Sequence, residues 1–174
     1  MAKISFTKLG LKANQDIQQV EYNGQIIEVK QYLPINDKLG LITDVINSSA
    51  DTNNFANPVK IDIFMALYIV EAYTNITFTD KQKEDPCKVY DMLQGNGLLD
   101  AIIKAIPEAE YLLLRSGVYR SVDAIYEYKN SVLGILEQVS ADYSALDYDA
   151  TDIQKKLNDP QNMELLRGVL SKLG

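Results

Sequence analysis

The stretch that decides the fold is Val20-Glu21-Tyr22-Asn23-Gly24-Gln25-Ile26-Ile27-Glu28-Val29. Two runs with alternating apolar and polar residues flank an Asn-Gly pair. Asn-Gly favours a type I′ turn, because both central residues of that turn need a positive φ. A two-residue loop fixes the cross-strand register as Tyr22–Gln25, Val20–Ile27 and Gln18–Val29. The sequence therefore predicts a β-hairpin with a defined register.

The predicted hairpin has one apolar and one polar face. The first face carries Val20, Tyr22, Ile27 and Val29, and the second carries Gln19, Glu21, Ile26, Glu28 and Lys30. The alternation of Lys3–Thr7 adds a candidate third strand. A sheet of two or three strands is not stable alone, so we expect helices to cover its apolar face.

Helical periodicity begins at Pro34. An amphipathic stripe of Ile35, Leu39, Ile42 and Ile46 predicts the first helix. Asn57 and Pro58 form the start signal of a second helix, with Asn as the N-cap and Pro at the first helical position. The residues from Val59 to Ala72 are apolar nearly all round, which predicts a central buried helix.

Further start and stop signals divide the rest of the chain into helices. Asp85-Pro86 opens a helix over Cys87–Gln94, for which Gly95 is the predicted left-handed cap, and Pro107 ends a helix over Leu98–Ile106. The longest helical pattern runs from Pro107 to about Ser140, with Gly117 and Gly134 as expected break points. The C-terminal helix is expected over Pro160–Leu173, after a polar connector over Asp142–Thr151.

These signals predict one α+β domain over residues 1–174 that is predominantly α-helical. An N-terminal antiparallel β-hairpin or three-stranded sheet in a β-rich segment, residues 1–33, packs on a helical body, residues 34–140, which includes one long helix. Residues 141–174 are the expected connector and C-terminal helix. A length of 174 residues suits a single domain.

Composition excludes several classes of function. The chain has no histidine, no tryptophan and one cysteine, Cys87, so His-based catalytic triads, His metal sites and Cys clusters are excluded. Lys and Arg number 17 against 24 Asp and Glu, a net charge of −7, which argues against nucleic acid as a partner. The most apolar run, Ile61–Val70, has about half the length that a membrane span needs, and Met1–Ser5 starts no signal peptide, so we expect no membrane partner.

Four sequence features are candidate chemical sites. Four aspartates could hold Ca²⁺: Asp142, Asp147, Asp149 and Asp152. The EF-hand pattern does not match, however, and helix capping explains much of this cluster of acidic residues. Gln94–Gly97 fits a helix cap and turn better than a phosphate loop. Cys87 lies near a helix start, but the chain has no histidine to act as its base. An enzyme that uses only paired carboxylates, as glycosidases do, is a remote alternative. We therefore expect that the protein is not an enzyme and that it binds neither a metal ion nor a cofactor.

Two features indicate surfaces for a protein partner. The predicted C-terminal helix has an apolar stripe of Met163, Leu166, Val169 and Leu170, which either docks on the Pro107–Ser140 helix or binds a partner. Eleven tyrosines, among them Tyr111, Tyr119, Tyr126 and Tyr128, serve either core packing or a contact surface.

A family resemblance gives the only direct indication of function. The hairpin Val20–Val29, the segments Lys30–Ile35 and Asp37-Lys38, and the C-terminal stretch Thr151–Pro160 with Glu164–Leu166 together resemble the siphophage tail-assembly chaperones of low-GC Gram-positive hosts. That family shares the size, the acidic character and the order of a β segment followed by helices. It has no catalytic motif, so no functional residue is transferred.

The resemblance implies a non-enzymatic phage protein that acts by protein–protein contact in virion (tail) assembly. Its partner would be a phage structural protein or a host protein, and it would work in the host cytoplasm or the virion, with homo-oligomerisation as a further option. Two alternatives remain: a phage-encoded inhibitor of a host enzyme or defence complex, and a structural connector or neck component of the virion.

Overall fold

The structure is a computed structural model that describes residues 3–51 and 55–145, with side chains as far as residue 141. The expected fold class is confirmed: the described part is α+β and predominantly α-helical, with one N-terminal antiparallel hairpin. Its α-helices are α1 Ile35–Ser49, α2 Pro58–Tyr73, α3 Asp80–Lys83, α4 Pro86–Gly95, α5 Leu98–Ala105, α6 Glu108–Lys129 and α7 Val132–Ala145.

The hairpin has the predicted register. Strand β1, Ile17–Tyr22, pairs with β2, Gln25–Lys30, and each predicted residue pair is present. Asn23 and Gly24 have φ angles of 49° and 75°, as a type I′ turn requires. The inward residues Ile27 and Val29 are buried, so helices cover one face of the sheet.

Of the two predicted alternatives, a hairpin or a three-stranded sheet, the described residues form the hairpin, and the candidate strand over Lys3–Thr7 is not formed. Phe6–Leu9 form a 3₁₀ helix instead, closed by a hydrogen bond from the Lys8 N–H to the Ser5 carbonyl at 3.0 Å. Gly10 ends this helix in the left-handed region, with a φ of 60°. Two strands make up the sheet within the described residues, and the segment before β1 is exposed throughout.

Helix α2 is the centre of the core, as its apolar sequence predicted. Asn57 caps it by accepting hydrogen bonds from the N–H groups of Val59 and Lys60. The buried residues of α2 cover more than one face: Ile61, Met65, Ala66, Leu67, Ile69, Val70 and Tyr73. A helix that buries residues all round must be packed on several sides, and contacts to α1, α4, α5 and β2 supply that packing.

Two predicted details of the helices need correction. Asp85 caps α4 as expected, but the helix continues through Gly95, and the left-handed residue is Gly97, with a φ of 72°. Glycine is needed where the chain turns sharply into α5, two residues beyond the predicted cap. Residues 142–145 also belong to α7 and not to a connector.

The long helical pattern is divided into α6 and α7. Helix α6 passes through Gly117 without a break, and the interruption lies at Asn130 and Ser131. There the Ser131 hydroxyl donates to the Tyr128 carbonyl at 2.6 Å and accepts from the Gly134 N–H at 3.1 Å, so the side chain caps the end of one helix and the start of the next.

The described residues divide into two units, one that ends at residue 126 and one that begins at residue 127. The first unit contains the hairpin, α1 to α5 and most of α6, and it holds the hydrophobic core. The second unit contains the last residues of α6 together with α7. The expectation of a single domain over the whole chain stays a prediction.

Candidate functional site

A buried carboxylate organises one end of the first unit. Glu110, in the first turn of α6, accepts a hydrogen bond from the Lys38 ammonium of α1 at 2.8 Å. Its other oxygen accepts from the Leu33 N–H and from the Tyr73 hydroxyl, both at 2.9 Å. Lys38 also lies 4.1 Å from the centre of the Tyr32 ring, a cation–π contact.

The hydrogen bonds of Glu110 decide its protonation state. Burial acts to raise the pKa of the Glu110 carboxyl, but hydrogen bonds from Lys38, the Leu33 N–H and the Tyr73 hydroxyl outweigh burial and lower that pKa below its ordinary value. Burial, followed by the hydrogen bond to Glu110, raises the pKa of Tyr73. The carboxylate is therefore charged and the phenol neutral at ordinary pH.

The arrangement is suited to holding elements together. Both oxygens of Glu110 are engaged by protein donors, and the four groups come from the segment before α1, from α1, α2 and α6. A general acid or base needs a proton site that faces a substrate. Glu110 is 8% exposed and both of its oxygens accept hydrogen bonds from protein donors, which favours a structural role.

An open apolar groove lies beside this ion pair, between α1 and α6. Its volume is about 440 Å³, and its apolar lining consists of Ile35, Leu39, Ile42, Leu113, Leu114 and Ala124. Lys38, already paired with Glu110, and Arg120 also line the groove. The groove therefore offers an apolar surface to a ligand, with two cationic side chains among its lining residues, of which Lys38 is paired with Glu110.

The groove exists because α1 presents a different face from the one its sequence indicated. The buried residues of α1 are Lys38, Leu41, Val45 and Ser49. Ile35 and Leu39, which head the predicted stripe, are 58% and 56% exposed. Pairing with Glu110 offsets the cost of burying the Lys38 ammonium, and two apolar side chains are left in solvent.

A glycine of α6 lies against a side chain of α1 in the groove. A Cβ atom at Gly117 of α6 would lie 2.7 Å from Cδ1 of Ile42 on α1, which is closer than van der Waals contact. The absence of a side chain at Gly117 thus leaves space for the Ile42 side chain, and both residues line the groove.

The residues that the sequence indicated as candidate sites either take no part in the Glu110 ion pair and the lining of the groove, or lie outside the described residues. The stripe of Met163, Leu166, Val169 and Leu170 lies outside the described residues, as do Asp147, Asp149, Asp152 and the side chain of Asp142. Cys87 is exposed in the first turn of α4. Tyr111, Tyr119 and Tyr126 pack partly buried against the core, which supports the packing interpretation for these three, while Tyr128 is exposed.

Sequence reasoning missed Lys38 and Glu110. A signal for Lys38 was present, since it stands between Ile35 and Leu39 on the apolar side of α1, where a lysine needs a buried partner. Glu110 gives no comparable signal, because acidic residues are common in the first turn of any helix.

Comparison with known proteins supplies no relative: no protein-family model, no curated protein and no solved structure matches this chain. Among the residues that the structure describes, no helix is long and apolar enough to cross a membrane. Within the same residues, no group of three or more Cys, Asp or Glu side chains is placed to hold a metal ion.

Proposed function

We propose that this chain is a non-enzymatic phage protein that acts by protein–protein contact in tail assembly, as a chaperone in the host cytoplasm. Its groove between α1 and α6 would bind an apolar segment of a phage structural protein before that protein is assembled. The tail-assembly role comes from the family resemblance of the sequence, and the mode of binding comes from the groove.

The exposure of apolar side chains around this groove supports the proposal. Leu39 is 56% exposed and Leu113 is 50% exposed, on two helices that face each other across about 440 Å³. Burial of apolar surface stabilises a complex by about 25 cal/mol per Å². A partner helix or extended segment that covers these residues would remove both from water.

Co-production with tail structural proteins tests the proposal. Each tail protein of the parent phage is produced alone, with the wild-type chain, and with a Leu39→Glu/Leu113→Glu variant, and the soluble yield is measured. The expected result is that one tail protein is soluble only with the wild-type chain. Burying two carboxylates without partners in the complex is costly, so the variant should lose this effect.

A matched control separates the groove from general surface change. Val59 is 68% exposed in the first turn of α2 and does not line the groove, so Val59→Glu should keep full activity. If the groove variant solubilises the tail protein as well as the wild type, the groove is not the binding surface. If no tail protein gains solubility, the chaperone role is wrong.

Mass spectrometry of purified phage particles tests the remaining alternatives. A chaperone leaves the particle, so the chain should be absent from it. A fixed copy number in the particle would indicate a connector or neck component. Absence from particles, together with no effect on tail proteins and inhibition of a host enzyme, would indicate an inhibitor.

A further inference from the structure

The segment before the hairpin carries exposed apolar side chains and positive charge together. Residues 3–12, which we name the arm, read Lys-Ile-Ser-Phe-Thr-Lys-Leu-Gly-Leu-Lys. Its four large apolar side chains are each more than half exposed: Ile4, Phe6, Leu9 and Leu11. Four such residues in ten positions are more than the scattered single exposures normal on a protein surface.

The arm has local order that presents two of these side chains together. Phe6 and Leu9 are the first and last residues of the 3₁₀ helix, and residues three apart lie on the same side of such a helix. The Ser5 and Thr7 hydroxyls are hydrogen bonded at 2.8 Å, and Gly10 turns the chain through the left-handed region. A binding segment that is already ordered loses less entropy when it docks.

The charge of the arm is opposite to that of the rest of the chain. The arm contains Lys3, Lys8 and Lys12 and no acidic residue. The remaining residues carry 14 Lys and Arg against 24 Asp and Glu, a net charge of −10. This asymmetry favours an acidic partner for the arm, and a second copy of this chain is such a partner.

The first unit offers a recess that suits the arm. It lies between the hairpin turn, α3 and α4, has a volume of about 350 Å³, and is lined on its apolar side by Tyr22, Phe78, Val89, Met92, Leu93 and Leu98. Its other lining residues are the uncharged Asn23, Gln82 and Asn96. The groove between α1 and α6 is less suitable, because Arg120 in its lining repels lysines.

We infer that the arm is a self-association segment, and that Phe6 and Leu9 of one copy bind the recess around Met92 of a second copy. Met92 is 55% exposed, so it is open to such a contact. The net negative charge of the second copy attracts the lysines of the arm, so the association should become weaker at high salt.

Sedimentation velocity of the full chain at increasing protein concentration tests this inference. The wild type should form dimers or larger species. Phe6→Ser/Leu9→Ser should raise the dissociation constant by roughly tenfold or more, because two apolar anchors are lost. Lys3→Glu/Lys8→Glu should weaken the association at low salt and have less effect at high salt. Val59→Ser is the matched control and should associate like the wild type.

A mixing experiment tests whether the arm binds the recess. Met92→Lys blocks the recess with a charge of the same sign as the arm, so this variant alone should be monomeric. The Phe6→Ser/Leu9→Ser variant has an intact recess, and the Met92→Lys variant has an intact arm. Mixed together they should form a heterodimer, because one arm–recess contact is restored. Circular dichroism of each variant checks that the exposed substitutions leave the fold intact.

Other outcomes overturn the inference. A wild type that stays monomeric at every concentration refutes self-association, and this includes the case in which the arm instead binds vesicles of anionic lipid. Self-association that survives Phe6→Ser/Leu9→Ser shows that the arm is not the contact. If Phe6→Ser/Leu9→Ser loses self-association but Met92→Lys keeps it, and mixing the two variants gives no heterodimer, the recess is not the receiving surface. Leu39→Glu/Leu113→Glu changes the groove alone, so its effect on tail proteins is read separately.

Discussion

Replacing Glu110 with alanine tests whether the buried carboxylate holds the first unit together. The change leaves the Lys38 ammonium buried without a counter-charge, and it leaves the Leu33 N–H and the Tyr73 hydroxyl without their acceptor. Removing one partner of a buried ion pair costs about 3–5 kcal/mol. The whole stability of a domain is about 5–15 kcal/mol. We therefore expect Glu110→Ala to lose a large fraction of the free energy of unfolding.

Urea unfolding followed by circular dichroism measures this loss. Glu108→Ala is the matched control, because Glu108 is an exposed glutamate in the same helical turn, and its removal should cost about 0.3–1 kcal/mol. A Lys38→Met/Glu110→Leu double variant should recover the part of the loss that comes from the unpaired Lys38 ammonium, while the Leu33 N–H and the Tyr73 hydroxyl still lack their acceptor. If Glu110→Ala costs no more than Glu108→Ala, the proposed structural role is wrong.

The same carboxylate makes part of the stability depend on pH. The pKa of Glu110 is lower in the folded state than the value of about 4.3 for an unperturbed glutamate. Such a group contributes stability above its unfolded pKa, and this contribution is lost as the pH falls through the folded pKa. The difference in free energy of unfolding between the wild type and Glu110→Gln should therefore be largest near neutral pH and shrink below about pH 4. A difference that stays constant over this range contradicts the assignment.

Three further substitutions test local features, the first two by the thermal or urea midpoint and the third by the helicity measured with circular dichroism. Gly24→Val places a β-branched residue at a φ of 75° and should cost about 1–3 kcal/mol, whereas a variant that melts like the parent would refute the type I′ turn. Asn57→Ala removes the cap of α2 and should cost about 0.5–2 kcal/mol, with an unchanged midpoint as the contrary result. Gly134→Ala puts a methyl group against the Tyr128 carbonyl and should lower the helicity of the second unit, and full retention of helicity would argue against that close approach.

The features that the sequence predicted well are those with local physical causes. Asn23-Gly24 determines the hairpin register because only a few residue pairs adopt two consecutive positive φ angles. Asn57 and Asp85 mark helix starts because their side chains satisfy N–H groups two or three residues away. The buried α2 was predictable because no amphipathic interpretation fits an almost wholly apolar segment.

The features that the sequence did not predict depend on contacts between distant residues. Lys38 and Glu110 are 72 positions apart, and their pairing decides which face of α1 is buried. Periodicity alone favoured the face with Ile35 and Leu39, which instead lines the groove. The break between α6 and α7 was expected at a glycine, but Ser131 causes it by bonding to the backbone on both sides.

The bond from Glu110 to the Leu33 N–H has a consequence for hydrogen exchange. Leu33 lies in the irregular segment between β2 and α1, where backbone amides ordinarily exchange with solvent through small local openings. Its acceptor is the buried Glu110 carboxylate of α6, so the amide is released only when this buried cluster opens. The same opening also leaves the Lys38 ammonium without its counter-charge. The Leu33 amide should therefore exchange as slowly as the core amides of α2, and so report on the cooperative opening of the whole first unit.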